Sequence, residues 1–272
     1  MKHENGGAAS HLEDYRRLFV ALDAVPATPP TWVLQGLLQP GLNILFGPPK
    51  CYKTHLALHF AAAITLKKPV DKMHPAPLRA GTVIYFAPEQ SASRLRFIYE
   101  RDVLGRKMKD KQNLDFLLAK NPWEWTIDSE NEDRDFVELI NDLKPTMLVL
   151  DPLVHFHKVN ENDPHLVRYI IPLKEAMLRY GGALLVIHHQ RKGSPDKGED
   201  QNPWEGMRGT SALWAAADGG IILQKLKTGS GAINIQTDFK DHEGRKWTWK
   251  PKLTRTEATN TWTWKPKRKE GS

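Results

Sequence analysis

Leu42-Asn43-Ile44-Leu45-Phe46-Gly47-Pro48-Pro49-Lys50-Cys51-Tyr52-Lys53-Thr54 is the most informative stretch of the chain. The apolar run Leu42–Phe46 is predicted to be a strand, and the apolar spacing from Thr54 to Thr65 a helix. Between them lies a Gly- and Pro-rich turn that closes on Lys-Thr. This is the context in which a loop can cradle phosphates: backbone N–H groups from Cys51 onward converge at a helix N-terminus, where the helix dipole favours an anion. In this reading Gly47, Pro48, Pro49, Lys50, Cys51, Tyr52, Lys53 and Thr54 form the binding loop. Lys53 would reach the terminal phosphates of ATP, and the Thr54 hydroxyl would hold Mg²⁺. The usual pattern, G-x-x-x-x-G-K-[ST], has glycine where this chain has Tyr52; tyrosine costs nothing there if the position has helical φ, and the ring could then point away from the phosphates or stack on a neighbour. The plain alternative is an ordinary strand–turn–helix carrying a stray Lys-Thr.

Outward from the loop, apolar runs alternate with helical patterns. Strands are predicted at Thr82–Ala87, Thr146–Leu150, Ala183–Ile187 and Gly220–Gln224, and helices at Ser91–Val103, Arg134–Leu143 and Leu166–Tyr180. These strands show little polar alternation, as expected of strands covered on both faces, so the fold class is α/β with a mostly parallel sheet flanked by helices. Residues 226–265 read as antiparallel strands with turns at Gly229–Gly231 and Glu243–Gly244. Ahead of the core, Tyr15–Ala24 could form a short helix, and the prolines of Val25–Thr31 suggest an extended connector.

Three strand ends carry candidate chemistry. Met147-Leu148-Val149-Leu150-Asp151 places an acid at the carboxyl end of a strand, where ligands of parallel sheets bind. Asp151 would orient the Mg²⁺ shell. Many buried strands also end in Asp without a ligand. Val83-Ile84-Tyr85-Phe86-Ala87-Pro88-Glu89 puts Glu89 where it could polarise the water attacking a γ-phosphate, or simply in a surface loop. Leu184-Leu185-Val186-Ile187-His188-His189 ends in two histidines. Neighbours on a strand point to opposite faces, so one shared zinc is disfavoured, and one ring more plausibly senses the γ-phosphate. Arg208, in Arg208-Gly209-Thr210-Ser211-Ala212-Leu213, follows a polar stretch from Arg191 to Glu205. On a loop such an arginine is usually solvated.

Taken in order, Trp32-Val33-Leu34-Gln35-Gly36-Leu37-Leu38, Gly47–Thr54, Tyr85–Glu89, Leu148–Asp151, Val186–His189 and Arg208–Leu213 resemble the RecA-like ATPases of the RepA type, the hexameric replicative helicases of plasmids and mobile elements. The resemblance covers about residues 30–225. It implies a RecA-like P-loop NTPase fold for the ATPase core, 31–225; by their own pattern, residues 1–30 read as tail, short helix and connector, and 226–272 as a C-terminal β-hairpin extension and basic tail. The resemblance implies Lys53 and Thr54 on phosphate and Mg²⁺, Glu89 as catalytic base, Asp151 as the Walker B acid, His189 as sensor and Arg208 as a finger reaching a neighbouring subunit. The stretch 191–207, with Arg191 and Lys192, would correspond to the central-channel region. The implied partners are single-stranded DNA and further copies of this chain in a hexameric ring.

Composition narrows the setting. With 39 Lys+Arg against 32 Asp+Glu, the net charge of +7 permits a polyanionic partner without requiring one. A single cysteine excludes an internal disulfide, and no apolar run is long enough for a membrane span, so a cytoplasmic location is expected. Trp247-Thr248-Trp249-Lys250-Pro251-Lys252 recurs as Trp262-Thr263-Trp264-Lys265-Pro266-Lys267. Trp247, Trp249, Trp262 and Trp264 among lysines suit base stacking with phosphate neutralisation. A hairpin whose alternate tryptophans cover one sheet face fits as well, and a subunit contact is a third option.

Overall fold

The computed structural model describes residues 19–25, 31–105, 108, 115–127, 130–159, 163, 165–189, 211–226, 232–250 and 263–264. Residues 1–30 and 31–272 are separate units. In the first, the described residues hold one 3-10 turn, Leu22–Ala24, preceded by Ala21 in extended conformation. The predicted Tyr15–Ala24 helix is therefore absent over 19–21, and residues 15–18 lie outside the described set.

Among the described residues, the second unit is built on one nine-stranded sheet. Its strands are β1 (Gly41–Gly47), β2 (Val83–Phe86), β3 (Phe116–Leu118), β4 (Met147–Leu150), β5 (Ala183–His189), β6 (Gly219–Lys225), β7 (Ile233–Phe239), β8 (Lys246–Lys250) and β9 (Thr263–Trp264). They lie side by side in the order β3-β2-β4-β5-β1-β6-β7-β8-β9. The pairings from β3 to β6 are parallel, and those from β6 to β9 antiparallel. The antiparallel strands thus continue the parallel sheet directly.

Successive strand residues feed two apolar layers, as the two-residue period requires. Val83, Tyr85, Met147, Val149, Leu185, Ile187 and Leu223 pack on the side of helix α1 (Lys53–Leu66). Ile84, Phe86, Leu148, Leu150, Leu184 and Val186 pack on the opposite side, beneath α3 (Glu130–Leu143) and α4 (Leu166–Arg179). Helix α1 is apolar nearly all round and buried accordingly, with Phe60, Ala61 and Ile64 fully covered. A short helix, α5 (Ser211–Ala216), precedes β6.

One local expectation needs correcting, and one strand had no counterpart among the predicted elements. The single helix predicted over Ser91–Val103 is two pieces: α2 (Ala92–Ile98), capped by the Ser91 side chain accepting from Arg94 N–H, runs into a wider π-helical turn at Tyr99–Leu104 that ends on left-handed Gly105. Strand β3 was not foreseen, because three apolar residues carry no periodic signal. Its place beside β2 makes it an edge of the sheet. The Gly229–Gly231 turn lies outside the described residues, as does the polar stretch 191–205, whereas the Glu243–Gly244 turn does join β7 to β8.

Candidate nucleotide site

The binding loop leaves β1 at Gly47. A side chain there has no room: a Cβ would lie 2.6 Å from the Leu223 carbonyl oxygen and 2.9 Å from Cys51 Sγ. Lys50 and Tyr52 are both left-handed, at φ 58° and 66°. The condition under which tyrosine would cost nothing, a helical φ, is therefore not met at Tyr52. The loop keeps the backbone that glycine normally supplies and imposes it on a tyrosine, at a cost of about 1–2 kcal/mol. The Tyr52 ring turns onto His55, edge to face at 5.4 Å, where packing offsets part of that cost. The Tyr52 side chain makes no capping hydrogen bond at the start of α1, the helix end whose dipole favours an anion.

Lys53 begins α1, and its ammonium folds back over the loop. Nζ donates to the Gly47 carbonyl at 2.7 Å and to the Pro48 carbonyl at 2.9 Å. Burial pushes its pKa down, opposed by the Cys51 thiol and by the carboxylates of Asp151 and Glu89. Thr54 Oγ1 donates to Asp151 Oδ2 at 2.8 Å, joining the first turn of α1 to the end of β4. The same oxygen accepts from Tyr85 OH at 2.7 Å. Burial raises the Asp151 pKa and Glu89 adds to the rise. The Tyr85 and Thr54 hydrogen bonds and the Lys53 charge oppose it. Gln90 Nε2 donates to Thr54 Oγ1 at 3.4 Å.

Sheet order explains the convergence. β2, β4, β5 and β1 are consecutive neighbours and all parallel, so Glu89, Asp151, His189 and the loop issue from one edge. Asp151 N–H donates to the Phe86 carbonyl at 3.0 Å, which fixes the β2 and β4 ends together. His189 stands in register with Gly47, and the buried His188 with Phe46. Glu89 Oε1 accepts from His155 Nε2 at 2.9 Å. Among the described residues, no group of three or more His, Cys, Asp or Glu is placed to hold a metal ion.

Tyr85, Gln90 and His155 escaped the sequence reading. Tyr85 did leave a signal, as the one hydroxyl in an otherwise apolar strand. Gln90 and His155 left none, because their partners are 36 and 66 residues away. Arg191, Lys192, Arg208 and Trp262 lie outside the described residues. Trp247 is only 4% exposed, packed in the α1-side layer with its ring 5.2 Å from His74. Its faces are spent on packing, so the base-stacking expectation is corrected at this residue. Trp249 and Trp264 stand opposite each other in the β8–β9 register, so the two copies of the repeat pair with one another.

A strand–loop–helix with two acids at the carboxyl ends of neighbouring parallel strands is the arrangement of the RecA-like P-loop fold. The chain matches the AAA domain family over residues 9–195 and belongs to it. Among solved structures, the ATPase domain of G40P is similar at TM-score 0.60 and 10% identity, over 96% of this chain and 99% of that one. The RadB recombinase is similar at TM-score 0.53 and 17% identity, over 81% and 90%. At these identities the likeness establishes the fold alone. No curated protein matches the sequence.

Proposed function

We propose that the chain is a Mg²⁺-dependent ATPase acting as a RepA-type replicative helicase, a homohexameric ring that moves along single-stranded DNA. The observation that carries the ATPase part is the 2.8 Å hydrogen bond from Thr54 to Asp151, with Lys53 folded over the same loop and Glu89 beyond the neighbouring strand. A hydroxyl and a carboxylate side by side form an oxygen-only donor set. That set fits a small hard cation that retains several waters. When bound, Mg²⁺ would neutralise charge on the β- and γ-phosphate oxygens. Lys53 would bind the same phosphates. Glu89 would orient the attacking water and take its proton. His189, beside Gly47, is suited to sensing the γ-phosphate.

The helicase part draws support from the ordered motifs and from the likeness to the G40P ATPase domain. Arg208 would act on the nucleotide of the adjacent subunit, and Arg191 and Lys192 would face DNA. Strand displacement on a forked duplex tests this directly. Wild type should unwind with ATP and Mg²⁺ and hydrolyse faster with single-stranded DNA, while Lys53→Ala and Arg208→Ala should each lose at least tenfold. Mixing those two variants should restore some hydrolysis at mixed junctions. ATPase without strand separation in any buffer would remove the helicase and leave the enzyme.

A second reading is a non-motor, DNA-binding ATPase that uses nucleotide state to switch assembly on a recombination or replication substrate. The similarity to the RadB recombinase and the strained Tyr52 in the loop favour it. It expects slow turnover, DNA binding altered by ATP, and no unwinding.

A further inference from the structure

Glu89 projects beyond the end of β2 with its side chain about half exposed, at 50%. A carboxylate so placed has several side-chain conformations of similar energy. Few of them carry an oxygen to the water that a general base must deprotonate, and misplacement by about 1 Å can cost a hundredfold in rate. In this chain one oxygen is already tethered. His155 Nε2–H donates to Oε1 at 2.9 Å, and among the described residues Oε2 takes no hydrogen bond.

The tether has a firm base. His155 sits in the 3-10 turn Leu153–Phe156, which follows Asp151 and Pro152 directly. Leu153 and Phe156 are fully buried on either side of it, and His155 N–H donates to the Pro152 carbonyl at 3.3 Å. The turn that carries the imidazole is thus continuous with the strand that carries the Mg²⁺-site acid. An exposed pair of this kind adds little to folding stability. Its effect is geometric: it fixes Glu89 relative to Asp151.

We propose that His155 is a positioning residue for Glu89, holding Oε1 so that Oε2 is presented to the attacking water. This rests on the reading of Glu89 as the base. His155 touches neither nucleotide nor water in this role; it acts through the carboxylate.

Single-turnover and steady-state ATP hydrolysis by the full chain tests the proposal, using wild type, Glu89→Gln, His155→Leu, His155→Gln and the Glu89→Gln/His155→Leu double variant. Glu89→Gln should lose about a hundredfold or more in rate. His155→Leu should lose about tenfold in kcat with KM within about twofold, because ground-state nucleotide contacts are untouched. His155→Gln keeps an N–H at the same reach and should stay within about threefold of wild type. In the Glu89→Gln background His155→Leu should cost nothing further, since a residue acting only through Glu89 has nothing left to position. If His155→Leu fails to fold, His155→Asn replaces it, being polar but too short to reach Oε1, and should show the same tenfold loss.

The outcomes separate cleanly. A wild-type kcat in His155→Leu, a loss confined to KM, or full multiplicative loss in the double variant overturns the positioning role and leaves the base in place. Wild-type turnover in Glu89→Gln overturns the base itself, and the positioning role with it.

Discussion

His59 shows how one residue sets a pH limit on this protein. It lies within α1, partly buried, and burial lowers its pKa from 6.5 to about 3, helped by the charge of His55 and opposed by Asp102 and Asp71. The unfolded chain therefore takes up this proton first. Stability is fully present above pH 6.5 and drains away as pH falls toward 3. Between pH 7.5 and pH 5 this ring alone should remove about 2 kcal/mol. Urea unfolding at the two pH values checks it: His59→Leu should shrink the difference by about that amount, and an unchanged difference would place the ring in water. The neighbouring Asp102 works in the opposite region. Burial opposes its ionisation, but hydrogen bonds from His55 and Arg101 and the Arg101 charge hold its carboxyl well below the usual range. That contribution is present above the usual carboxylate pKa and is lost only in strong acid.

Among the elements, β8 is the one whose role most changes on seeing the fold. A tryptophan-rich, lysine-rich segment reads equally as a nucleic-acid surface or as a packed strand. Register decides it for Trp247, which pairs with Ile235 and enters the α1-side layer. Trp247→Ala should cost about 3–5 kcal/mol in urea unfolding, the usual loss for a buried aromatic ring. A loss below about 1 kcal/mol would return the ring to the surface. The parallel strands were legible because both their faces are buried, so Leu148-Val149-Leu150 and Leu184-Leu185-Val186 read as unbroken apolar runs. Strand β3 and the π-helical turn after Ile98 were not, since each depends on neighbours distant in sequence. At the site, Lys53, Thr54 and Asp151 were legible from residue type and strand position. The left-handed φ of Tyr52 was hidden because side-chain identity argued against it and only the loop backbone demands it. His155 was hidden because a histidine five residues past the end of a strand has no pattern to fit.

For the whole molecule, ligand binding and folding are linked. A functional site must raise the thermal unfolding midpoint when ATP and Mg²⁺ are added, by the equivalent of about 2.7 kcal/mol at a hundredfold excess over Kd. Lys53→Ala should abolish most of that rise while keeping the unliganded midpoint within a few degrees. Absence of any rise in wild type would mean that Tyr52 closes the loop to phosphate, leaving a protein with the fold of an ATPase and no turnover. In the described residues no helix is long and apolar enough to cross a membrane.

A single rank of contacts crosses the sheet beneath the loop. Gly47 lacks space for even a methyl group under Leu223, Leu223 stands opposite Ile235, and Ile235 opposite Trp247. The start of the candidate binding loop and the β7–β8 hairpin are therefore keyed to one another like stones in a course. Enlarging any member of that row would lift the loop, so redesign of the C-terminal hairpin must conserve volume along it even though the hairpin stands several strands away.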